Sequence, residues 1–228
     1  LLTGGKSLIP ANLLGMLRAM SSVAILGMGL LLVIVVGEID LSFGYLYGLS
    51  ASFIAVAWIM WGWPLWLAII GAFGVAIFWG AFNAFFTTVV KIPSFIATLG
   101  SGALIFGFTL LITNTSTFNP AYPPSGKVVD PGELSFFTGL ANQQLPFNIP
   151  MQGLWMIGIA LVVWFLLSRS LFGFRLKAIG GNPEAARLAR LPVRKYKFAA
   201  FIAMGLLACT AAMLDFAFIG STQPNAGI

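Results

Sequence analysis

The sequence predicts an all-α, polytopic helical membrane protein. Three observations carry that prediction: the composition, the spacing of the charges and the uninterrupted apolar runs. Of 228 residues, 59% are apolar and 8% are charged, and the mean hydropathy is +0.98. Soluble domains carry about 25% charged residues, so a water-soluble chain of this size has nowhere to hide so much apolar surface. Residues 19–37, 41–90, 92–126, 134–168 and 198–214 hold no charge at all. Crossing a hydrocarbon core of about 30 Å takes roughly 20 apolar residues. Residues 41–90 in one helix would run about 75 Å at ~1.5 Å per residue, so that stretch folds back at least once. The run from Leu30 to Val36 lacks the polar–apolar alternation of a membrane barrel. A lone strand cannot satisfy its backbone in lipid, so the spans are helices.

About six membrane segments follow in order. The first occupies residues 13–36 and the second 44–60. Trp61-Gly62-Trp63-Pro64 is a turn with aromatics suited to a membrane interface. The third segment occupies 65–90 and the fourth 94–113, separated by Lys91-Ile92-Pro93. The fifth occupies 153–168 and the sixth 198–219. Loop 114–150 is polar and holds Lys127, Asp130 and Glu133 as its charges. Loop 169–197 holds Arg169, Arg175, Lys177, Arg187, Arg190, Arg194, Lys195 and Lys197 against the single acid Glu184. These are eight of the twelve basic residues, and they put loop 169–197 in the cytoplasm. Counting back, loop 114–150 faces outside, Lys91 inside, the Trp61–Pro64 turn outside, and Glu38–Asp40 near the inside. The first segment then begins outside, where Arg18 mildly offends the rule. A cytoplasmic N-terminus would need one more helix before residue 1. The opening Leu1-Leu2-Thr3-Gly4-Gly5-Lys6 has neither initiator Met nor signal-peptide pattern, and the chain is expected to be incomplete. It is read as one transmembrane domain, 1–228, without a persuasive internal repeat.

Several function classes are excluded. The net charge of +6 does not point to nucleic acid, because the basic residues sit in one interhelical loop. There is no histidine, and the one cysteine, Cys209, lies in an apolar run. That excludes an intrachain disulfide and histidine-based metal or acid–base sites. No P-loop sequence is present, so the chain does not bind ATP that way. No catalytic or metal-ligating set is expected.

Four features stand out. In Gly37-Glu38-Ile39-Asp40-Leu41-Ser42-Phe43-Gly44, two carboxylates sit between apolar runs. Either Asp40 caps a helix beginning near Leu41 and Glu38 is an interfacial acid, or both face a wet interior. In Lys91-Ile92-Pro93-Ser94-Phe95-Ile96-Ala97-Thr98, Pro93 breaks a helix and Ser94 suits the cap of the next. Asn83 and Thr98 are polar groups within spans, where most such groups bond a neighbouring helix. In Asn182-Pro183-Glu184-Ala185-Ala186-Arg187-Leu188, Asn182 is a good N-cap, Pro183 fits the first helical position and Glu184 suits the dipole. This helix ends before Pro192 and is too short to stand alone. Ala185 and Ala186 permit close approach, while Leu188 and Leu191 offer an apolar edge. Asp215 lies inside the last apolar run, near the outer side.

Taken in order, these motifs resemble the permease family of ribose- and xylose-type ATP-binding-cassette importers. Residues Gly37–Gly44 match the family's Gly-Gly-Ile-Asp-Leu-Ser-Val-Gly, with Glu38 and Phe43 as departures. Lys91–Gly100 match Lys-Ile-Pro-x-Phe-Ile-Ala-Thr-Leu-Gly. Phe172-Gly173, Ala178 and Gly180–Arg187 match the third motif, although Ala189-Arg190 stands where Ser-Gly is usual. The resemblance covers nearly the whole chain and implies further helices beyond both ends. It also implies a second permease copy, an extracytoplasmic sugar-binding protein, and a cytoplasmic ATPase that binds ATP and Mg, so this chain holds no cofactor. The helix at Asn182, Pro183, Glu184, Ala185, Ala186, Arg187 and Leu188 then becomes the element that couples to the ATPase. Glu38, Asp40, Ser42, Asn83, Ser94, Thr98 and Asp215 become candidates for the translocation path. The expected setting is the bacterial inner membrane. Permeases for nucleosides, sugar alcohols or amino acids, and a stand-alone transporter or channel, remain the alternatives.

Overall fold

Apolar runs and helix-breaking residues set the boundaries of the elements. In the computed structural model, which describes residues 9–143 and 146–227, the order is α1 (Pro10–Val35), α2 (Phe43–Ala55), α3 (Leu65–Thr88), α4 (Ser94–Thr113), α5 (Pro131–Asn142), α6 (Met151–Arg169), α7 (Leu171–Gly181), α8 (Pro183–Leu188) and α9 (Val193–Ile219). A π-helical turn, Val56–Met60, continues α2. The opening residues 1–8, positions 144–145 of loop 114–150, and residue 228 lie outside the described residues. Among the described residues, six helices are long and apolar enough to cross a membrane: α1, α2 with its π turn, α3, α4, α6 and α9. The β pairing there is the isolated bridge between Phe118 and Thr222.

Three elements differ from expectation. The last span begins at Val193 rather than 198, because Pro192 stands as its N-cap residue and Val193 is buried. Arg194, Lys195 and Lys197 are therefore helical; long cationic side chains tolerate a first turn because their ends reach polar surroundings. Loop 114–150 contains α5, whose start is capped by Asp130 Oδ1 accepting from Glu133 N at 2.9 Å. Loop 169–197 contains α7 as well as α8. Ser170 Oγ caps α7 by accepting from Gly173 N at 3.2 Å.

Helix α9 is the hub and packs against α1, α2, α3 and α5. Its buried face is rich in small residues: Ala200, Gly205, Ala208, Ala211, Ala212 and Ala217. Without a hydrophobic drive between helices in lipid, small residues let backbones approach and gain dispersion contacts. The α3–α9 crossing shows the effect. A Cβ on Gly80 would stand 2.7 Å from Phe201 O, and one on Gly205 would stand 2.6 Å from Ala76 O. Either methyl group would push the two backbones apart. Glu133 Oε2 accepts from Trp58 Nε1 at 2.7 Å and its Oε1 from Leu65 N at 2.9 Å. This carboxylate fastens α5 across the α2–α3 turn.

Candidate coupling and translocation sites

Three polar constellations interrupt the apolar bundle. The first forms where α1 ends. Gly37 takes φ +84 and turns the chain into the segment 37–42. That segment docks on the start of α4: Ile39 N donates to Ser94 Oγ at 3.1 Å, and Leu41 N donates to Thr98 Oγ1 at 3.0 Å. Asp40 Oδ1 accepts from Ser42 N at 2.8 Å and Ser42 Oγ at 2.6 Å. Asn83 Nδ2 of α3 donates in turn to Ser42 Oγ at 2.7 Å. Burial pushes the Asp40 carboxyl above its ordinary value, while the two Ser42 hydrogen bonds oppose that shift. Glu38 forms an ion pair with Lys197 of α9.

Two cap expectations fail here for one physical reason. The helix starts at Phe43, and Asp40 bonds the amide two residues on instead of capping it. Ser94 occupies the first helical position after Pro93, and its hydroxyl accepts from segment 37–42. Docking between the two loops uses the side chains that local capping would otherwise take. Asp40, Ser42, Asn83 and Thr98 are buried, so in this conformation they tie α2, α3 and α4 together.

The second constellation surrounds Asp215 in α9. Its Oδ2 accepts from Tyr47 Oη at 2.6 Å. Its Oδ1 accepts from Ser22 Oγ of α1, and from Gln152 Nε2 of α6 at 3.5 Å. The acid is thus satisfied by three other spans. Beside it lies a cavity of about 230 Å³ lined by Tyr47, Thr117, Asp215, Ser221, Thr222 and Gln223, among others. Thr222 Oγ1 is buried without a partner among the described residues. Sequence reasoning found Asp215 but missed Tyr47, Ser22 and Gln152. Their signal was weak: a hydroxyl or amide in an apolar run usually serves a neighbouring helix.

The third constellation is α8. Asn182 Oδ1 accepts from Glu184 N at 3.1 Å and Ala185 N at 3.0 Å, as the sequence predicts. At the other end Leu191 N donates to Ala186 O, and Arg190 N to Arg187 O, both at 2.9 Å. This is a Schellman turn, with Arg190 in the left-handed conformation at φ 59. Ala186 is buried in a cluster with Leu176, Ile179 and Val193. Leu188 is 87% exposed. The helix therefore has one face fixed to the bundle and an apolar residue presented outward. Behind it, Gly180 meets the end of α1: a Cβ there would stand 2.0 Å from Val35 O.

Six apolar spans, a bonded intramembrane acid and a capped surface helix define a multi-pass membrane protein built around internal polar sites. The chain belongs to the family described as "Branched-chain amino acid transport system / permease component", whose model matches residues 12–228. It is similar to the xylose transport system permease protein XylH of Escherichia coli strain K12, at 29% identity over 273 residues, covering 99% of this chain and 70% of the relative. The Haemophilus influenzae XylH is similar at 29% over 276 residues, covering 99% and 73%. The ribose import permease protein RbsC of Escherichia coli strain K12 is similar at 32% over 218 residues, covering 95% and 64%. No solved structure matches the chain.

Proposed function

We propose that this chain is the membrane-spanning permease subunit of an ATP-driven importer, moving a pentose or hexose from an extracytoplasmic binding protein into the cytoplasm. The observation that carries the reading is α8: a helix too short to stand alone, braced on one face and capped at both ends, with Leu188 bare on the other. A cytoplasmic ATP-binding-cassette ATPase is the partner such a helix suits. Leu188 would fill an apolar groove, while Glu184 and Arg187 would set orientation. That ATPase, and not this chain, would hold ATP and Mg, and a second copy of this chain would complete the pore in the bacterial inner membrane. The relatives named for xylose and ribose support a monosaccharide as cargo.

The family description favours a second cargo, a branched-chain amino acid. The cavity beside Asp215 weighs against it. Its lining offers hydroxyls, amides and one carboxylate, and no cation for an α-carboxylate. A neutral polyol fits that chemistry better than a zwitterion. Uptake of labelled xylose, ribose and leucine into vesicles, with and without the cognate ATPase, tests both points. ATP-dependent sugar uptake is the expected result, and uptake indifferent to the ATPase would overturn the reading. Substituting Glu184 or Arg187 should impair transport-linked ATP hydrolysis in a folded permease.

A further inference from the structure

At the cytoplasmic ends of α3, α4 and α9, beside α8, lies a cavity of about 350 Å³ lined by Lys91, Arg187, Arg194, Lys197, Glu38 and Ser94, among others. Four cations meet one carboxylate there, and Glu38 is already paired with Lys197. The side chains of Lys91, Arg187 and Arg194 have no hydrogen-bond or ion-pair partner among the described residues. Three unpaired like charges around one hollow repel one another and favour an anion between them. Two further features point the same way. Lys91 holds φ 67, a left-handed conformation that a non-glycine residue adopts at a cost and that concentrates at binding sites. The start of α4 has no side-chain cap, so its first amides add positive potential at the rim.

We propose that this cavity binds a phosphate-type anion. Two sources share that chemistry: the headgroup of an anionic phospholipid, and a soluble phosphate. Val90, Phe95 and Ile96, next in sequence to the lining residues Lys91 and Ser94, are exposed apolar side chains, of the kind that meets acyl chains. Basic pockets between spans on the cytoplasmic side commonly hold anionic headgroups. A bound phosphate would bridge Arg187 of α8 to Lys91 and Arg194, fastening α8 to the α3–α4 turn and to α9. Binding itself does not depend on the import reading, whereas the consequence for ATPase coupling rests on it.

The test uses the full chain in nanodiscs, with Lys91 and Arg194 both changed to Gln, and a control with Lys177 and Lys195 both changed to Gln. One arm measures retention of phosphatidylglycerol against phosphatidylcholine by native mass spectrometry. The other measures thermal stabilisation by inorganic phosphate in phosphatidylcholine discs. The wild type should retain phosphatidylglycerol or be stabilised by phosphate, the two outcomes identifying a lipid or a soluble source. The Lys91/Arg194 variant should lose about thirtyfold in affinity, as expected for two surface cations near a headgroup. The control should bind like the wild type. If the double variant does not fold, Lys91→Gln alone should show about a fivefold loss. No binding in either arm, or an equal loss in the control, overturns the proposal. So does unchanged phosphate and lipid binding together with lost ATPase association, which would assign the cations to a protein contact. A permease that transports nothing yet retains the anion would refute the import reading and leave this site standing.

Discussion

Asn182→Ala removes the acceptor shared by the amides of Glu184 and Ala185. Losing an N-cap of this kind costs about 1 kcal/mol. Helix α8 spans six residues, far below the ~12 at which isolated helices become marginal, so the cap is a large share of what holds it. A cost of that size shifts the closed-to-open ratio of α8 about fivefold. The opposite end supplies a counterweight. Arg190 sits at φ 59, a conformation that costs a side-chain-bearing residue about 1 kcal/mol. Arg190→Gly should therefore stabilise α8 by a similar amount, and the double variant should return near the wild type because the two ends share no partner. Hydrogen exchange at Ala189 and Leu191, whose amides are bonded to Ala185 O and Ala186 O, reads the opening directly. Stimulation of ATP hydrolysis in proteoliposomes reads its consequence. Asn182→Asp, which keeps the acceptor, should behave like the wild type. Unchanged exchange in Asn182→Ala, equal loss in Asn182→Asp, or faster exchange in Arg190→Gly would refute the reasoning.

Gly180→Ala should displace α7 and α8, because its Cβ would stand 2.0 Å from Val35 O, whereas Gly181→Ala meets nothing within 4 Å; cross-linking of 180's neighbours and coupled ATPase activity should separate the pair. Asp215→Ala strands the Tyr47 and Ser22 hydroxyls and should cost about 1–3 kcal/mol for each group left buried and unbonded, while Asp215→Asn should cost less; melting in detergent checks the order. Burial raises the Asp40 carboxyl above 3.8. A raised folded-state acid stabilises below its unfolded pKa and loses that contribution as pH rises through its folded pKa. Stability of Asp40→Asn relative to the wild type should therefore improve as pH rises from that acid range toward neutrality, and a difference that stays flat would contradict the burial.

The spans were legible because charge spacing is a one-dimensional signal, and a charge-free run of sufficient length has one destination. The start of α8 was legible because Asn182, Pro183 and Glu184 act on amides within three positions. The same kind of signature, Asp130-Pro131 followed by Glu133, opens α5, but the polarity of loop 114–150 masked it. Asp40 was not legible. Whether it caps a helix or bonds two residues on depends on segment 37–42 docking to Ser94 and Thr98, far along the chain. Glu38 stands where the resembling family has glycine, and its partner Lys197 lies in a span read as a loop. The partners of Asp215 come from α1, α2 and α6, which no local pattern connects.

These contacts form a continuous mechanical line under the import reading. Gly180 lies against the α1 terminus at Val35 and Gly37. From Gly37 the chain enters segment 37–42, which is bonded to α4 through Ser94 and Thr98 and to α3 through Asn83. The segment then becomes α2, which carries Tyr47 to Asp215 beside the polar cavity. The early joints are backbone contacts and hydrogen bonds of 3.0 and 3.1 Å to α4. The last is the hydroxyl–carboxylate bond from Tyr47 to Asp215, at 2.6 Å. Contiguity fixes an order that experiment can break. Tyr47→Phe cuts the line at its far end, so it should alter uptake while α8 still stimulates the ATPase. Asn182→Ala cuts it at the near end, so it should depress both together. If Tyr47→Phe depresses ATP hydrolysis as strongly as Asn182→Ala, α8 and the cavity are not joined in this sequence.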